Sequence, residues 1–329
     1  MSAHSGYDVA VLIPCRDEEL TVADVVKGFR HALPEARVFV GDNASSDDTA
    51  AAAAQAGAVV IPEPRPGKGR AVRRLFADVE ADVYILVDGD ATYDPSLAPC
   101  LVARIIEGGA DLANATRRPE LGAWPRGHQW GNRVLTAMVR RMFGHGLEDM
   151  LSGYKAMSRR MVKSFPVQSN GFEIETELAV HALSLSMPVS EVAGPYGSRP
   201  TGSASKLSTT RDGWLISRTI FNLMRAERPL AFFSAIAAIL ALISLVIAYP
   251  IFIHFVHTHL VPRYPSALLA TGIMVVGVLS LTCGLVLDTV TRGRREAKAM
   301  SYLAIPGPRQ WNAEPGTPGG QGAGEETPG

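Results

Sequence analysis

Tyr84–Asp94 reads YILVDGDATYD, and the fold of the chain turns on how this stretch is read. An apolar run of strand length, Tyr84 to Val87, delivers two carboxylates, Asp88 and Asp90, with only Gly89 between them. Side chains alternate across a strand, so two acids spaced by one residue at its end fall on nearly the same side. The intervening glycine lets a backbone or a ligand come close. Two hard oxygen ligands in that position suit a divalent cation carrying a diphosphate. A strand ending in an Asp-Gly turn has the same letters. The flanks must separate the two readings.

Upstream, Asp8–Ile13 (DVAVLI) is a buried strand stopped by Pro14. Thr21–Leu33 places Val22, Val25, Val26 and Phe29 at helical spacing, and Pro34 ends it. Arg37–Gly41 is a second strand leading into the polar run Asp42–Thr49 (DNASSDDT), where Ser46 or Asp47 can cap the Ala-rich helix that follows. Ala58–Ile61 is a third strand and Lys68–Asp78 a helix. Strand alternating with helix predicts an α/β domain with a largely parallel sheet. Ligands on such sheets bind beyond the carboxyl ends of the strands, where Pro14–Glu18, Asp42–Ser45 and Asp88–Asp90 all fall. No GxGxxG follows the first strand, which argues against a dinucleotide-binding domain. Arg65–Arg70 (RPGKGR) lacks the spacing of a Walker A loop; it reads either as a loop holding Lys68 near phosphate or as a basic turn.

Downstream, a helix (Pro95–Glu107) and a strand (Asp111–Ala115) continue the pattern. Gly131–Phe143 is amphipathic and basic, and Asp149–Met157 (DMLSGYKAM) is a loop entering a strand. Phe172–Leu185 is a helix whose Glu173, Glu175 and Glu177 favour the helix dipole, a structural role. Across its 329 residues the chain carries 32 basic and 32 acidic side chains, so bulk charge gives no case for nucleic acid. Cys15, Cys100 and Cys283 lie far apart without metal or disulfide spacing, and reduced thiols are expected. The chain opens with polar MSAHSG and runs directly into a strand, so no signal peptide is expected.

The C-terminal third changes character. Arg211–Arg228 interleaves Trp214, Leu215, Ile220, Phe221, Leu223 and Met224 with Arg218 and Arg225, which suits an amphipathic helix on an anionic membrane surface. Leu230–Ile253 and Ala267–Leu287 are uncharged apolar runs long enough to cross a bilayer. Their Gly, Ala and Ser content suits close helix pairing. Arg218, Arg225 and Arg228 precede the first run; Arg292, Arg294, Arg295 and Lys298 follow the second, and the connecting loop has only Arg263. The positive-inside rule then puts the N-terminal domain and the C-terminus in the cytoplasm, at the inner membrane. The tail from Ile305 is rich in Pro and Gly and is expected to be disordered.

The order of these motifs resembles the family 2 glycosyltransferases with a GT-A fold, and within them the dolichyl/polyprenyl-phosphate sugar transferase branch, from Val9 to about Leu207. The resemblance implies that the loop after the first strand holds the donor's base. The family's P-x-Y-N-E-x is PCRDEE in this chain, so Pro14 and Glu18 match while Arg16 and Asp17 replace tyrosine and asparagine. The D-(D/N)-x-S-x-D-x-T pattern is met by Asp42, Asn43, Ser45, Asp47 and Thr49, with Asp42 implied at the nucleoside. Asp90 is the implied ligand to Mg²⁺ or Mn²⁺ and Asp88 lies nearer the donor; Thr92 stands where such enzymes often carry glutamine. Arg117, just after the Asp111–Ala115 strand, is implied near sugar and phosphates. DMLSGYK (Asp149–Lys155) matches D-x-x-S-G-(F/Y)-(K/R), and YGSRPTGSASKL (Tyr196–Leu207) gives Arg199, Ser205 and Lys206 as a basic clamp on the diphosphate.

The implied organisation is a GT-A, Rossmann-like nucleotide-sugar-binding domain over residues 1–210 and an interfacial amphipathic helix over 211–228. A two-helix transmembrane hairpin over 229–290 and a basic, then disordered, cytoplasmic tail over 291–329 complete it. The implied reaction moves a hexose with inversion from a UDP- or GDP-sugar to polyprenyl phosphate, for glycan or cell-envelope assembly. A hydroxyl acceptor would need a general base, for which Asp149 is the candidate. A lipid phosphate needs cations such as Arg117, Arg126 or Arg140 to position it. The rivals are a glycolipid or polysaccharide synthase acting on a hydroxyl, and a catalytically silent membrane adaptor. No Q-x-x-R-W motif of a processive synthase is present. Two spans are few for a lipid conduit, which leaves room for a homo-oligomer.

Overall fold

The computed structural model of the chain describes residues 6–119, 136–141, 143, 147–171, 173–197, 218, 221–261 and 263–307. In order they form β1 (Val9–Cys15), α1 (Val22–Ala32), β2 (Arg37–Asp42), α2 (Thr49–Gln55), β3 (Val59–Pro62), α3 (Lys68–Asp78) and β4 (Val83–Leu86). A 3₁₀ turn (Pro95–Leu97), α4 (Ala98–Ile106), β5 (Leu112–Pro119), β6 (Lys155–Ser158), α5 (Arg159–Ser164), α6 (Ile174–Ser184) and β7 (Val189–Tyr196) follow. The chain then enters α7 (Pro229–Thr258) and α8 (Tyr264–Leu303).

The seven strands make one sheet in the order β3-β2-β1-β4-β6-β5-β7. All pairs are parallel except those of β6, which runs against both β4 and β5. That reversal matters for the site. Because Lys155 pairs with Leu86, the loop that enters β6 lies at the same sheet edge as the residues leaving β4. Both faces of the sheet are covered, which is why its strands read as continuous apolar runs. Val9, Val11 and Ile13 of β1 pack against α1 and α4, while Ala10 and Leu12 face α3, α5 and α6. Phe29, Leu75, Leu101 and Leu178 are fully buried anchors of these layers. Each such side chain contributes about 1.5–3 kcal/mol on leaving water.

Several boundaries differ from the sequence reading for physical reasons. Strand β1 continues through Pro14 to Cys15. The Leu12 carbonyl accepts from Val87 N at 3.1 Å, so Leu12 and Pro14 face β4; pairing with β4 has ended by Pro14, and its missing N–H costs no ladder bond. Helix α2 starts at Thr49, and Asp47 accepts from Thr49 N at 3.1 Å. Strand β5 runs to Pro119, so Arg117 lies within a strand, paired with Gly194 of β7, not just beyond one.

Helices α7 and α8 are long and apolar enough to cross a membrane, and most of their surface is exposed. They pair through small residues: Ser244 Oγ donates to Ala270 O at 2.8 Å and Ser280 Oγ to Phe233 O at 3.2 Å. A Cβ on Gly284 would stand 2.9 Å from Phe233 Cβ. The basic stretch after Leu287, expected as the first part of a cytoplasmic tail from 291, continues α8 to Leu303. There Tyr302 donates its hydroxyl proton to Asp111 Oδ2 at 2.6 Å, and its ring lies under the Arg160 guanidinium at 4.7 Å. Asp111 is fully buried and also takes Arg160 Nε and Nη2 at 2.6 and 2.7 Å. Of the expected interfacial helix only 218 and 221–228 are among the described residues, and 221–227 is helical.

Candidate active site at the carboxyl edge of the sheet

The loops leaving β1 and β2 hold each other. Asp17 N donates to Ser45 Oγ at 3.1 Å, Glu18 N to Thr49 Oγ1 at 2.8 Å, and Glu19 N to Asp47 Oδ2 at 3.2 Å. In return Ser46 N donates to Asp17 Oδ1 at 2.7 Å and Asp48 N to Glu19 Oε2 at 3.1 Å. Ser45, Asp47 and Thr49 are therefore spaced to satisfy the first loop's backbone, and each bond of this kind contributes about 1 kcal/mol. Arg16 is exposed and lies 3.7 Å from Asp17. Asn43 is buried, with its amide donating to Arg65 O at 2.8 Å and accepting from Gly67 N at 2.5 Å. Both of these bonds go to the loop that leads into α3. Asp42 differs: among the described residues its buried Oδ1 has no hydrogen-bond partner. An acceptor left unsatisfied at a strand end fits a ligand donor.

Asp88, Gly89 and Asp90 follow β4 directly. Asp90 is 3% exposed, and its Oδ1 accepts from Thr92 Oγ1 at 2.6 Å and Thr92 N at 3.2 Å. Thr92, in the place of the family's glutamine, thus fixes the orientation of Asp90. A Cβ at Gly89 would stand 2.4 Å from Cys15 Sγ, so the close approach that this glycine permits is made by β1. Gly153, in the loop entering β6, would place a Cβ 2.2 Å from Asp88 Oδ2. Only glycine lets that loop pass beside the acid. Among the described residues no group of three His, Cys, Asp or Glu could hold a metal ion. Asp88 and Asp90 supply two hard oxygen donors, and a cation seated on them would complete its shell with diphosphate and water. That is the usual manner of Mg²⁺.

Lys68 opens α3, and its ammonium donates to Asp88 Oδ1 at 2.5 Å and to Glu175 Oε1. Burial alone would lower the Lys68 pKa, but the charges of Asp88 and Glu175 outweigh it and raise it, keeping the lysine protonated. Burial, with Asp88 nearby, pushes Glu175 up against the opposing pull of Lys68. Glu175 is thus a buried partner of the site rather than a helix-dipole ornament. No spacing rule links it to Lys68, 107 residues earlier.

On the other side stands a second buried pair. Arg117 Nε and Nη2 donate to Asp149 Oδ2 and Oδ1 at 2.6 and 2.8 Å. Burial would raise the Asp149 carboxyl, yet the hydrogen bond and charge of Arg117 outweigh it and hold it below the ordinary carboxylate range. The guanidinium also lies over the Tyr196 ring at 5.4 Å. Tyr196 bridges to Tyr93, and Gly197 N donates to Thr92 O at 3.0 Å, which ties the end of β7 to the residues just after Asp90. Lys155 is fully buried, donates to Asn114 Oδ1 at 2.6 Å, and is pushed down to about 8 by burial. Asn114 in turn donates to Asp149 O at 3.0 Å and Glu191 Oε1 at 3.3 Å. Asn114 and Glu191 escaped the sequence reading, and Lys155 entered it only as the last position of a motif, because their roles come from strand register.

Pro14, Glu18, Asp42, Lys68, Asp88 and Asp90 are thus gathered at one sheet edge, beside Arg117 and Asp149. Arg140 is exposed on the helical stretch 136–141. Arg126, Arg199, Ser205 and Lys206 lie outside the described residues.

Residues 10–165 match the family model for glycosyl transferase family 2. Over 232 residues the chain is 33% identical to Glycosyltransferase AglJ of Haloferax volcanii, covering 69% of this chain and 76% of that one. The chain belongs to glycosyl transferase family 2. A solved complex of Mycobacterium tuberculosis glucosyl-3-phosphoglycerate synthase with Mn²⁺, UDP and glucosyl-3-phosphoglycerate superposes with a TM-score of 0.56 at 26% identity. That match covers 68% of this chain and 80% of the synthase. An uncharacterised protein of Shigella flexneri is 50% identical over 155 residues, 47% of this chain and 95% of its own. The mixed seven-stranded sheet is a GT-A fold, and this family 2 protein is a glycosyltransferase.

Proposed function

We propose that this glycosyltransferase is membrane-bound and moves a hexose, with inversion, from a UDP- or GDP-sugar to polyprenyl phosphate at the cytoplasmic face of the inner membrane. The observation that carries the reading is the junction of catalytic domain and hairpin. Two helices long and apolar enough to span a bilayer follow the domain, and the second returns to it through Tyr302, Asp111 and Arg160. The join is made at the amino edge of the sheet, opposite Asp88 and Asp90, and in this reading it holds the whole domain at a membrane, where a lipid phosphate is presented. The arginines at 218, 225, 228, 292, 294 and 295 with Lys298 flank the two spans on the side given to the cytoplasm.

In this reading Asp88 and Asp90 hold Mg²⁺ or Mn²⁺ together with the donor diphosphate, and Asp42 meets the nucleoside. The solved relatives carry Mn²⁺ or Mg²⁺ with UDP, which supports the donor half. When bound, the cation supplies electrostatic stabilisation of the leaving diphosphate. Lys68, together with Arg199, Ser205 and Lys206, adds positive charge and donors to the same oxygens. Arg117, Arg126 and Arg140 are the cations assigned to the acceptor phosphate. Asp149, held ionised by Arg117, is a weak base and serves to orient that arginine. A phosphate acceptor already carries its nucleophilic oxygen anion, so no proton need be removed. Asp149→Asn is expected to lower turnover without removing the basic limb of the pH–rate profile; loss of that limb would assign Asp149 as a general base.

A second reading, transfer to a hydroxyl, draws support from the synthase relative solved with UDP-glucose and phosphoglyceric acid. Detergent-extracted enzyme given undecaprenyl phosphate or undecaprenol, with a panel of radiolabelled nucleotide sugars and with or without EDTA, separates the two. Label in a lipid phosphate, lost with EDTA, is the expected result. Transfer only to undecaprenol, or transfer untouched by EDTA, overturns it.

A further inference from the structure

The proposed donor site already contains a cation of its own. Lys68 reaches from the first turn of α3 to Asp88 Oδ1 at 2.5 Å and to Glu175 Oε1 from the same ammonium. The three side chains are not equally placed. Asp88 is 28% exposed and opens toward the sheet edge, whereas Glu175 is 6% exposed and forms the back wall, with Lys68 between them at 11%. Burying a second acid beside the lysine carries a desolvation cost that the ion pairs offset only in part.

We infer that Lys68 is a resident counter-ion which occupies Asp88 until a divalent cation replaces it, and that Glu175 is the positioning residue that receives the displaced ammonium. The inference rests on the reading of Asp88 and Asp90 as the seat of cation and diphosphate. A divalent ion on Asp88 sits within a few ångströms of the Lys68 ammonium, and two positive charges at that range repel strongly. Asp88 then holds the ammonium less tightly. Glu175 gives the ammonium somewhere to stay: it gives up one bond, keeps the other, and remains beside the site. From there it neutralises diphosphate oxygens that arrive with the metal. The exchange makes the bare cation bind weakly and the cation with its nucleotide bind well, because only the nucleotide compensates the ammonium.

The test is direct Mn²⁺ titration of the full-length protein in detergent, followed by the EPR signal of free Mn²⁺, with and without UDP or GDP. Removing the competitor by Lys68→Met is expected to tighten binding of Mn²⁺ alone by about tenfold. The same change is expected to weaken the enhancement that the nucleotide brings. Glu175→Gln leaves Asp88 as the remaining carboxylate of the pair, and is expected to weaken Mn²⁺ alone about tenfold in the native background and under about threefold in Lys68→Met. Lys68→Gln, which can still donate to both acids without a charge, serves where the methionine variant does not fold and is expected to give the same sign. Unchanged or weaker Mn²⁺ binding on removing the lysine's charge overturns the inference. So does an equal effect of Glu175→Gln in both backgrounds, the mark of a purely structural glutamate. Wild type that binds no Mn²⁺ even with nucleotide removes the metal-and-donor reading itself, a result distinct from normal wild-type binding with unresponsive variants.

Discussion

The two sides of the sheet edge are built from different materials. On the β1–β2 side, loops are held by many side-chain to backbone bonds: Asp17 with Ser45 and Ser46, Glu18 with Thr49, Glu19 with Asp47 and Asp48. On the β5–β6 side a few buried charges carry the load: Arg117 with Asp149 and Lys155 on Asn114, with Arg160 on Asp111 at the opposite end of the same strands. The first construction spreads its energy over small increments and stays tolerant of single losses. The second concentrates it, because removing one member strands its partner in the interior.

The contrast is most exposed to failure at Arg117. Arg117→Ala leaves Asp149 buried and unpaired, and a loss of about 3–5 kcal/mol in denaturant unfolding is expected. A loss under about 1 kcal/mol would show that the two sides do not differ as described. The next test is by pH. Burial pushes the His181 imidazole from 6.5 down to about 3, with Lys298 of α8 adding to the effect. The folded chain therefore stays unprotonated as pH falls through that window while the unfolded chain takes the proton, so stability is lost from pH 6.5 downward. The slope is up to about 1.4 kcal/mol per pH unit. His181→Gln is expected to flatten the acid limb of a melting-temperature profile; an unaltered limb would refute the buried neutral imidazole. Tyr302→Phe removes one donor from Asp111 while Arg160 remains, and a smaller loss of about 1–2 kcal/mol is expected. At the far end of the scale, Arg16→Ala on the tolerant side is expected to change stability by less than about 0.5 kcal/mol. Its effect belongs in the ratio of UDP to GDP donor use, and an unchanged ratio would discharge Arg16 from base selection.

The tolerant side was also the legible one. Short continuous apolar runs leading to Pro14, Asp42 and Asp88 are local signals, and local signals survive in sequence. The other side depends on register. Lys155 meets Asn114 only because β6 runs backwards between β4 and β5, and no residue within β6 announces its direction. Glu175 was misjudged for the same reason: its acidic neighbours at a helix start have a sufficient local explanation, and the ammonium that it binds comes from a distant helix. The continuation of α8 past Leu287 was hidden by its charge, since Arg292–Lys298 reads as a flank until Tyr302 is seen to have a partner.

That continuation has a mechanical consequence. Helix α8 is one unbroken rod of 40 residues, about 60 Å at 1.5 Å per residue, of which a bilayer core takes about 30 Å. The remainder projects as a strut whose far end is bolted to β5 and α5 through Tyr302. Under the proposed topology the stand-off between bilayer and sheet edge is then set by helix rise and not by a flexible tether. The enzyme would meet head groups at one altitude, indifferent to how much isoprenoid hangs below. Lengthening the strut by a turn would lift the site by about 5 Å and turn the domain little about the rod, making altitude itself an adjustable parameter of the reaction.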